Sequence, residues 1–226
     1  MKLRLAFAAL LASAQIAAAQ GAGAPNGVFL VAAPDLRDPN FRHSVVLVTQ
    51  TEDGGSVGFI VNRPGERSLA EILPQNELLK RFTEPLYRGG PVDAAGLFAI
   101  FRAKQNPPGA IRVLGDVSFA LDPAVVEQLL HRPPERVRFF NGYAGWTSGQ
   151  LALELAAGGW YVLHADAGTV FRKDMDHLWE ELIARTHAVT ASLRQHDDTS
   201  VSRPADPLDA GVSLPANVRT FREPGL

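Results

Sequence analysis

Apolar residues in this 226-residue chain occur mainly in short runs, and glycine or proline closes most of these runs. Short runs that are rich in branched residues and bounded by turn residues are typical of β-strands. The first run, residues 28–33, has no polar alternation, which predicts a strand buried on both faces. Residues 44–50 and 57–61 follow, and the glycine-containing turn at residues 52–55 predicts that they form an antiparallel hairpin.

The same pattern predicts six further strands along the chain. Gly-Gly-Pro, Asn-Pro-Pro-Gly and Gly-Asp segments separate the first four of them, and this punctuation predicts a meander of neighbouring strands. The six predicted strands cover residues 86–88, 97–102, 111–114, 117–121, 137–143 and 160–165.

Capping residues and helical periodicity predict four helices. Ser68 and Glu71 are spaced for a capping box, and a proline ends that helix early. Asp122 before Pro123 predicts the start of the second helix. The Asp122 carboxylate can accept a backbone N–H of the first turn, and Pro123 lacks an N–H at a position where the helix leaves that donor unpaired. The predicted helices cover residues 68–73, 123–131, 150–157 and 174–185. Strands and helices together predict a single α+β domain over residues 28–185.

Both ends of the chain differ from this pattern. Residues 1–19 combine a positive start, an apolar stretch and small residues before a predicted cut after Ala19, as in a secretory signal peptide. The apolar stretch is shorter than the roughly 20 residues of a membrane span, so we expect no span after cleavage. Residues 20–27 are expected to form a flexible leader, and the polar, aperiodic residues 186–226 a disordered tail. Cleavage would place the protein in the periplasm or the medium, whereas translation from an unusual codon near Val28 would leave it in the cytoplasm.

Composition counts against several classes of function. The chain has no cysteine, which excludes disulfides, thiolate zinc sites and a cysteine nucleophile. Its formal net charge is −2, and without the leader 20 basic side chains face 24 acidic ones, which is not the basic footprint of a nucleic-acid-binding protein. The common nucleophile and zinc motifs of hydrolases do not occur in the sequence. We therefore expect no cofactor, no metal and no nucleic-acid partner, and an enzyme has no positive support.

The most distinctive stretch passes from a predicted strand through several glycines into a predicted helix. Thr147 and Gln150 are spaced for a second capping box, and backbone amides at such a helix start favour an anion. The simpler alternative is that the glycines only allow a tight turn and close packing beneath an indole ring. The candidate binding residues of this stretch are Gly142, Gly145, Trp146, Thr147 and Gln150.

Two other segments carry candidate residues at strand ends. Asn62 and Arg63 offer an amide and a guanidinium that can fork a carboxylate or phosphate, although Arg63 paired with a carboxylate of the domain is the simpler interpretation. Asp38 and His43 lie in one loop, where Asp38 is a candidate general base or the cap of a local turn. We expect the three segments to converge on one site for a small anion or a protein.

These landmarks together resemble the YqgE/AlgH family of bacterial proteins. The resemblance covers residues 27–185 and implies an α+β fold in which a bifurcated, partly barrel-like mixed sheet is surrounded by helices. It implies no accepted reaction and no catalytic residues. The matching pieces are Pro34-x-Leu36-x-Asp38-Pro39-x-Phe41-x-x-Ser44-Val45, Gly58-x-x-x-Asn62-Arg63-Pro64, Gly89-Gly90-Pro91-Val92 and Gly142-Tyr143-Ala144-Gly145-Trp146-x-x-Gly149-Gln150-Leu151-x-x-Glu154.

Three functions remain open from the sequence. The first is a non-enzymatic binding or regulatory domain that uses the converging segments. The second is a transcriptional regulator, a label that some members of the YqgE/AlgH family carry. This function requires the protein to be cytosolic. The third is a hydrolase that acts on an anionic substrate with Asp38 or His43 as general base, which requires one of these groups to be buried beside a pocket.

Overall fold

The computed structural model describes residues 27–187 of the chain. The predicted signal peptide and most of the predicted leader and polar tail lie outside the described residues. Residues 186 and 187, predicted to begin the tail, are helical. Among the described residues, no helix is both long and apolar enough to cross a membrane.

Ten strands occur in the described part of the chain. Each of the nine strands predicted from the sequence is present. The strands are β1 Val28–Ala32, β2 Val45–Gln50, β3 Ser56–Ile60, β4 Pro64–Ser68, β5 Pro85–Arg88, β6 Val92–Arg102, β7 Ile111–Leu114, β8 Val117–Ala120, β9 Val137–Trp146 and β10 Trp160–His164.

Five helices accompany these strands within the described residues. The capping box at the first helix is confirmed, because the Ser68 hydroxyl accepts a hydrogen bond from the Glu71 backbone N–H and the Glu71 carboxylate accepts one from the Ser68 N–H. Asp122 caps the second helix through the backbone N–H of Ala124, as predicted. The helices are α1 Leu69–Ile72, α2 Pro123–His131, α3 Gln150–Ala156, α4 Ala167–Val170 and α5 over residues 178–187.

The strands form one curled sheet with the order β10-β1-β2-β3-β9-β6-β8-β7. The sheet divides at β9, which pairs with β6 along one edge, while its other edge pairs first with β5 in parallel and then with β3 in antiparallel orientation. The backbone N–H of Gly27 donates to the carbonyl of Val113 at 2.7 Å and so links the start of β1 to β7. The bifurcated, partly barrel-like mixed sheet with surrounding helices is therefore confirmed.

The predicted hairpin of β2 and β3 is confirmed, but the predicted meander is wrong. β6 pairs with β8 and β9, whereas β5 pairs with β4 and β9, so the four strands are not consecutive neighbours. β4 is not predicted from the sequence, because its Pro-Gly-Glu-Arg-Ser segment is largely exposed and has no apolar alternation. Short loops favour neighbouring pairs, but the final order depends on contacts between segments distant in the chain.

Other features of the fold also differ from the prediction, and β6 begins at Val92 rather than at residue 97. β9 was predicted to end at residue 143 but continues to Trp146, because its last residues pair with β3. The last helix begins at residue 178 rather than 174, and a side-chain oxygen of Asp174 accepts the backbone N–H of Asp176 in the turn that precedes it. The short helix α4 was not predicted.

Apolar side chains of the sheet pack on both of its faces. In β1, Phe29 and Val31 belong to the cluster inside the curled sheet, whereas Leu30 and Ala32 belong to the cluster on the outer face. All four are at most 1% exposed, so the prediction of a strand buried on both faces is confirmed. The outer cluster includes Trp146 and two further aromatic residues, and it forms the floor of the site described next.

Candidate functional site

A cleft of about 480 Å³ lies between the loop that follows β1 and the turn that joins β9 to α3. Aromatic residues form its floor and acidic residues stand along its sides. Its main lining residues are Asp35, Asp38, Phe41, Trp146, Gln150, Glu154 and Trp160. We call it the aromatic cleft.

Glu154 on α3 connects the helix to two strands of the sheet. One of its carboxylate oxygens accepts hydrogen bonds from the indole N–H groups of Trp146 and Trp160, each at 2.9 Å. The other oxygen accepts the side-chain amide of Gln150 at 3.0 Å. Each indole is only 5% exposed, and a buried indole N–H without an acceptor is costly. The carboxylate therefore holds both rings in one orientation, edge to face at 6.1 Å between centroids.

Phe41 brings the loop after β1 onto these rings. Its ring is stacked on Trp146 at 5.9 Å with an interplanar angle of 27°, and it meets Trp160 edge-on at 5.5 Å. Offset and edge-on arrangements are the favourable ones for aromatic pairs. The three rings therefore form a single packed floor to which the loop, the sheet and α3 each contribute a contact.

Asn62 and Arg63 lie behind the loop and hold its backbone. The Asn62 side chain accepts the backbone N–H of Val45 at 2.8 Å and donates to the carbonyl of His43 at 2.9 Å. The two terminal nitrogens of Arg63 donate to the carbonyls of Asn40 and Arg42. Arg63 thus bonds to backbone carbonyls instead of the carboxylate that was the simpler prediction.

The Arg63 side chain is partly shielded from solvent. Burial lowers the pKa of its guanidinium, and the positive charges of Arg88 and Arg42 lower it further. Backbone carbonyls compensate such a charge by charge-assisted hydrogen bonds. Arg63 does not line the cleft but bonds to the backbone of the loop that carries Asp38 and Phe41.

Asp38 and His43 are both exposed. A carboxylate oxygen of Asp38 accepts the backbone N–H of Asn40 at 2.8 Å, so Asp38 caps the local turn, as one of the two predictions had it. The ring of His43 packs against Trp179 at 4.3 Å between centroids. The hydrolase hypothesis required one of these groups to be buried beside a pocket, and neither is.

The glycine-rich stretch is strand for most of its length. Gly142 and Gly145 lie within β9, and α3 begins at Gln150 with Gly149 in the left-handed conformation at the N-cap. The predicted capping box of Thr147 and Gln150 is wrong, because no side chain caps this helix. Instead, the Gln150 side-chain oxygen accepts the backbone N–H and the hydroxyl of Thr147 at 3.2 and 3.3 Å.

The structure thus brings four of the nine candidate residues together and places the others around them. Asp38, Gly145, Trp146 and Gln150 line the aromatic cleft. The remaining five, which do not line it, are Asn62, Arg63, His43, Gly142 and Thr147.

Phe41, Glu154 and Trp160 line the cleft but are not among the candidate residues predicted from the sequence. The one usable signal was the spacing of Gln150 and Glu154, which places two polar side chains on one face of a helix. The described residues contain no group of three or more histidine, aspartate and glutamate side chains that could hold a metal ion.

Comparison with known proteins places this architecture in a family. The family model described as AlgH-like matches residues 29–190. A protein of Nocardia farcinica, named as a UPF0301 protein, is 38% identical over 178 residues, which is 75% of this chain and 81% of that protein. A UPF0301 protein of Chlorobaculum tepidum is 32% identical over 160 residues, 70% of this chain and 84% of that protein. The chain therefore belongs to the AlgH-like family, as the sequence motifs indicated.

Two solved structures resemble the fold. The solution structure of the AlgH protein from Pseudomonas aeruginosa matches with a TM-score of 0.58 and 26% identity, covering 83% of this chain and 95% of that chain. A crystal structure of a protein from Corynebacterium diphtheriae matches with a TM-score of 0.56 and 22% identity, covering 76% of this chain and 92% of that chain. The latter likeness concerns the fold alone.

Proposed function

We propose that this chain is a non-enzymatic binding domain and that its aromatic cleft receives a basic side chain of a partner protein. The observation that carries the proposal is the double hydrogen bond of Glu154 to Trp146 and Trp160. It fixes an apolar floor and places a carboxylate directly beside it. Rigid, preformed clefts with a few placed polar groups are typical of binding sites.

Charge supports a cationic group over the anion considered from the sequence. Asp35, Asp38 and Glu154 line the aromatic cleft together with a single cation, Arg37. An anion would therefore meet like charge at short range. The backbone N–H of Thr147 in this turn already donates to the Gln150 side chain.

Lysine and arginine side chains match both the aromatic floor and the acidic sides of the aromatic cleft. Their aliphatic stems pack on apolar surface while the charged head remains near water and carboxylates. Phe41 supplies apolar surface at the loop, and the exposed Asp35 and Asp38 lie beside it. Aromatic rings near the head add a favourable cation–π contribution.

A regulatory role would then operate through a protein partner, because the acidic balance of the chain opposes direct binding to DNA. The predicted signal peptide also supports a place of action outside the cytoplasm. A role in transcription requires the opposite location.

The proposal is tested by titrating the full chain with N-acetyl-arginine amide and, as matched control, N-acetyl-citrulline amide, which has nearly the same shape without the charge. We expect arginine to change the tryptophan fluorescence saturably and citrulline to leave it unchanged. The double change Asp35→Asn and Asp38→Asn should weaken binding about tenfold, since two nearby carboxylates lose their charge. Glu52→Gln, an exposed acidic position in the β2–β3 turn, is the control for a general charge effect.

Equal binding of arginine and citrulline would reject the cationic ligand. Unchanged affinity in Trp146→Ala and in the double aspartate variant would reject the aromatic cleft as the site. Because Trp146 is buried, circular dichroism must first show that the variant retains its fold.

A further inference from the structure

A second cleft, of about 370 Å³, lies between the segment that leads into β5 and the start of β9. It is separate from the aromatic cleft and shares no lining residue with it. Arg138 of β9 lines it and is only 3% exposed. A guanidinium this deeply buried needs partners for its charge and for its donors.

Both terminal nitrogens of Arg138 have hydrogen-bond partners. One terminal nitrogen donates to the carbonyl of Val170 at 2.7 Å and the other donates to the carbonyl of Arg172 at 3.1 Å. The guanidinium carbon lies 4.4 Å from the ring centroid of Tyr87, which is a cation–π contact. These contacts hold the guanidinium plane in one position.

The Nε–H group of Arg138 is the exception. It is buried and has no hydrogen-bond partner in the described part of the chain. Its nearest carboxylate oxygen belongs to Glu84 and lies 3.5 Å away, so the two groups form only a long ion pair. The Glu84 side chain is 53% exposed, and an exposed carboxylate can leave such a pair at little cost.

Apolar and aromatic side chains form part of the remaining wall of the second cleft. Phe82 and Phe139 meet edge-on at 5.0 Å between centroids, and Phe171 lines the same cleft. Arg81 and Arg136 are exposed lining residues, so the cleft carries more positive than negative charge once Glu84 moves away. This combination suits an apolar body that carries one negative charge.

We propose that the second cleft binds an organic carboxylate with an apolar body, whose carboxylate displaces Glu84 and accepts the Nε–H of Arg138. Glu84 occupies the position of the ligand carboxylate and acts as an internal competitor. We expect a carboxylate rather than a phosphate, because Nε is the one guanidinium nitrogen without a partner among the described residues, while both terminal nitrogens already donate to backbone carbonyls. The proposal does not depend on the aromatic cleft.

Calorimetric titration of the full chain with phenylacetate tests this site. Phenylacetamide is the neutral control of the same shape, and inorganic phosphate tests the alternative anion. We expect phenylacetate to bind at millimolar concentration, as a small ligand with one charged contact does, and neither control to bind.

The sharper test compares two variants that each remove one carboxylate from the cleft lining. Glu84→Ala removes the competitor at Arg138, whereas Glu135→Ala removes the same charge from elsewhere in the lining. If Glu84 is displaced by the ligand, Glu84→Ala should bind phenylacetate about fivefold or more tightly than Glu135→Ala. A general electrostatic effect would raise the affinity of both variants equally and would overturn the proposal.

Other outcomes also decide the question. Equal binding of phenylacetate and phenylacetamide, tighter binding of phosphate than of phenylacetate, or no binding of phenylacetate to Glu84→Ala would each overturn the proposal. Arg138→Lys should abolish binding if it folds, because a single ammonium cannot reach both carbonyls and the ligand. The comparison of Glu84→Ala with Glu135→Ala leaves Arg138 intact, so it remains decisive even if Arg138→Lys does not fold.

Discussion

The backbone of Gly90 lies so close to the backbone around Gly142 that neither position has room for a side chain. A Cβ atom built on Gly142 would lie 2.5 Å from the carbonyl oxygen of Gly90, and one built on Gly90 would lie 2.3 Å from the carbonyl of Tyr143. Gly142 also has a φ of +65°, which favours glycine. This close approach of the two backbones lets the segment after β5 lie against β9 where the sheet divides.

Gly142→Ala should therefore destabilise the fold strongly. A left-handed backbone and a clash with main-chain atoms together cost about 3 kcal/mol. Gly115→Ala is the matched control, since Gly115 has a φ of +49° but its Cβ would meet nothing within 4 Å. That control should lose only about 1 kcal/mol of unfolding free energy in urea denaturation. Equal losses in the two variants would contradict the close approach.

Glu154→Ala should leave two buried indole N–H groups without an acceptor. We expect a loss of about 3 kcal/mol in the free energy of unfolding, and about 1 kcal/mol for Glu154→Gln, whose side-chain oxygen can still accept. Glu127→Ala on the exposed side of α2 should change stability by no more than about 0.5 kcal/mol. Denaturant unfolding measures all three, and a loss in Glu154→Ala no larger than in Glu127→Ala would show that the indoles do not depend on the carboxylate.

The capping box of α1 should make stability depend on acid. Hydrogen bonds from the Ser68 backbone N–H and hydroxyl lower the pKa of Glu71 in the folded protein. The contact therefore stabilises fully above the ordinary glutamate pKa of about 4.3, and its contribution is lost as pH falls through the lower folded value. Glu71→Gln should flatten the dependence of unfolding free energy on pH in this acid window.

Ser68→Ala should flatten the same dependence, because it removes the hydroxyl that lowers the Glu71 pKa. The two changes act on one interaction, so the double variant should be no flatter than Glu71→Gln alone. Additive flattening would show that the acid dependence arises elsewhere.

Arg63→Ala should release the loop that carries Phe41. Loss of two charge-assisted hydrogen bonds to the loop backbone should raise the rate of tryptic cleavage after Arg42 about tenfold. Arg102→Ala removes a surface ion pair with Asp116 and should leave cleavage at this bond unchanged. If both variants are cut as slowly as the parent chain, the loop does not depend on Arg63.

The predicted signal peptide of residues 1–19 can be tested without the structure. Amino-terminal sequencing of the mature protein from fractionated cells should begin at Gln20, in the periplasm or the medium. A cytosolic protein that begins near Val28 would support the alternative start, and a cytosolic protein that retains the leader would reject the signal peptide.

Local features of the fold were predictable because their partners lie close in the chain. The β2–β3 hairpin follows from two apolar runs and a glycine turn, and the α1 capping box from two residues three apart. The curled sheet is different. The pairing of β9 with both β3 and β6 joins segments about 36 to 90 residues apart along the chain, and no local pattern encodes such a pair.

The candidate site shows the same division. The sequence pointed to Trp146 and Gln150, but their shared partner Glu154 receives a hydrogen bond from Trp160 on a different strand. Asn62 and Arg63 were correctly placed at a strand end, yet only the structure shows that they hold the neighbouring loop.

By itself, the amino-acid sequence determined most of the strands and helices, the α1 and α2 caps and the family motifs, because periodicity and capping act within a few residues. Tertiary structure alone decided where β9 divides the sheet, which carboxylate holds the two indoles, and that Arg138 is buried with its Nε–H unpartnered among the described residues. The physical reason is that a buried polar group must find its partner in space, and that partner belongs to whichever distant segment the completed fold brings beside it.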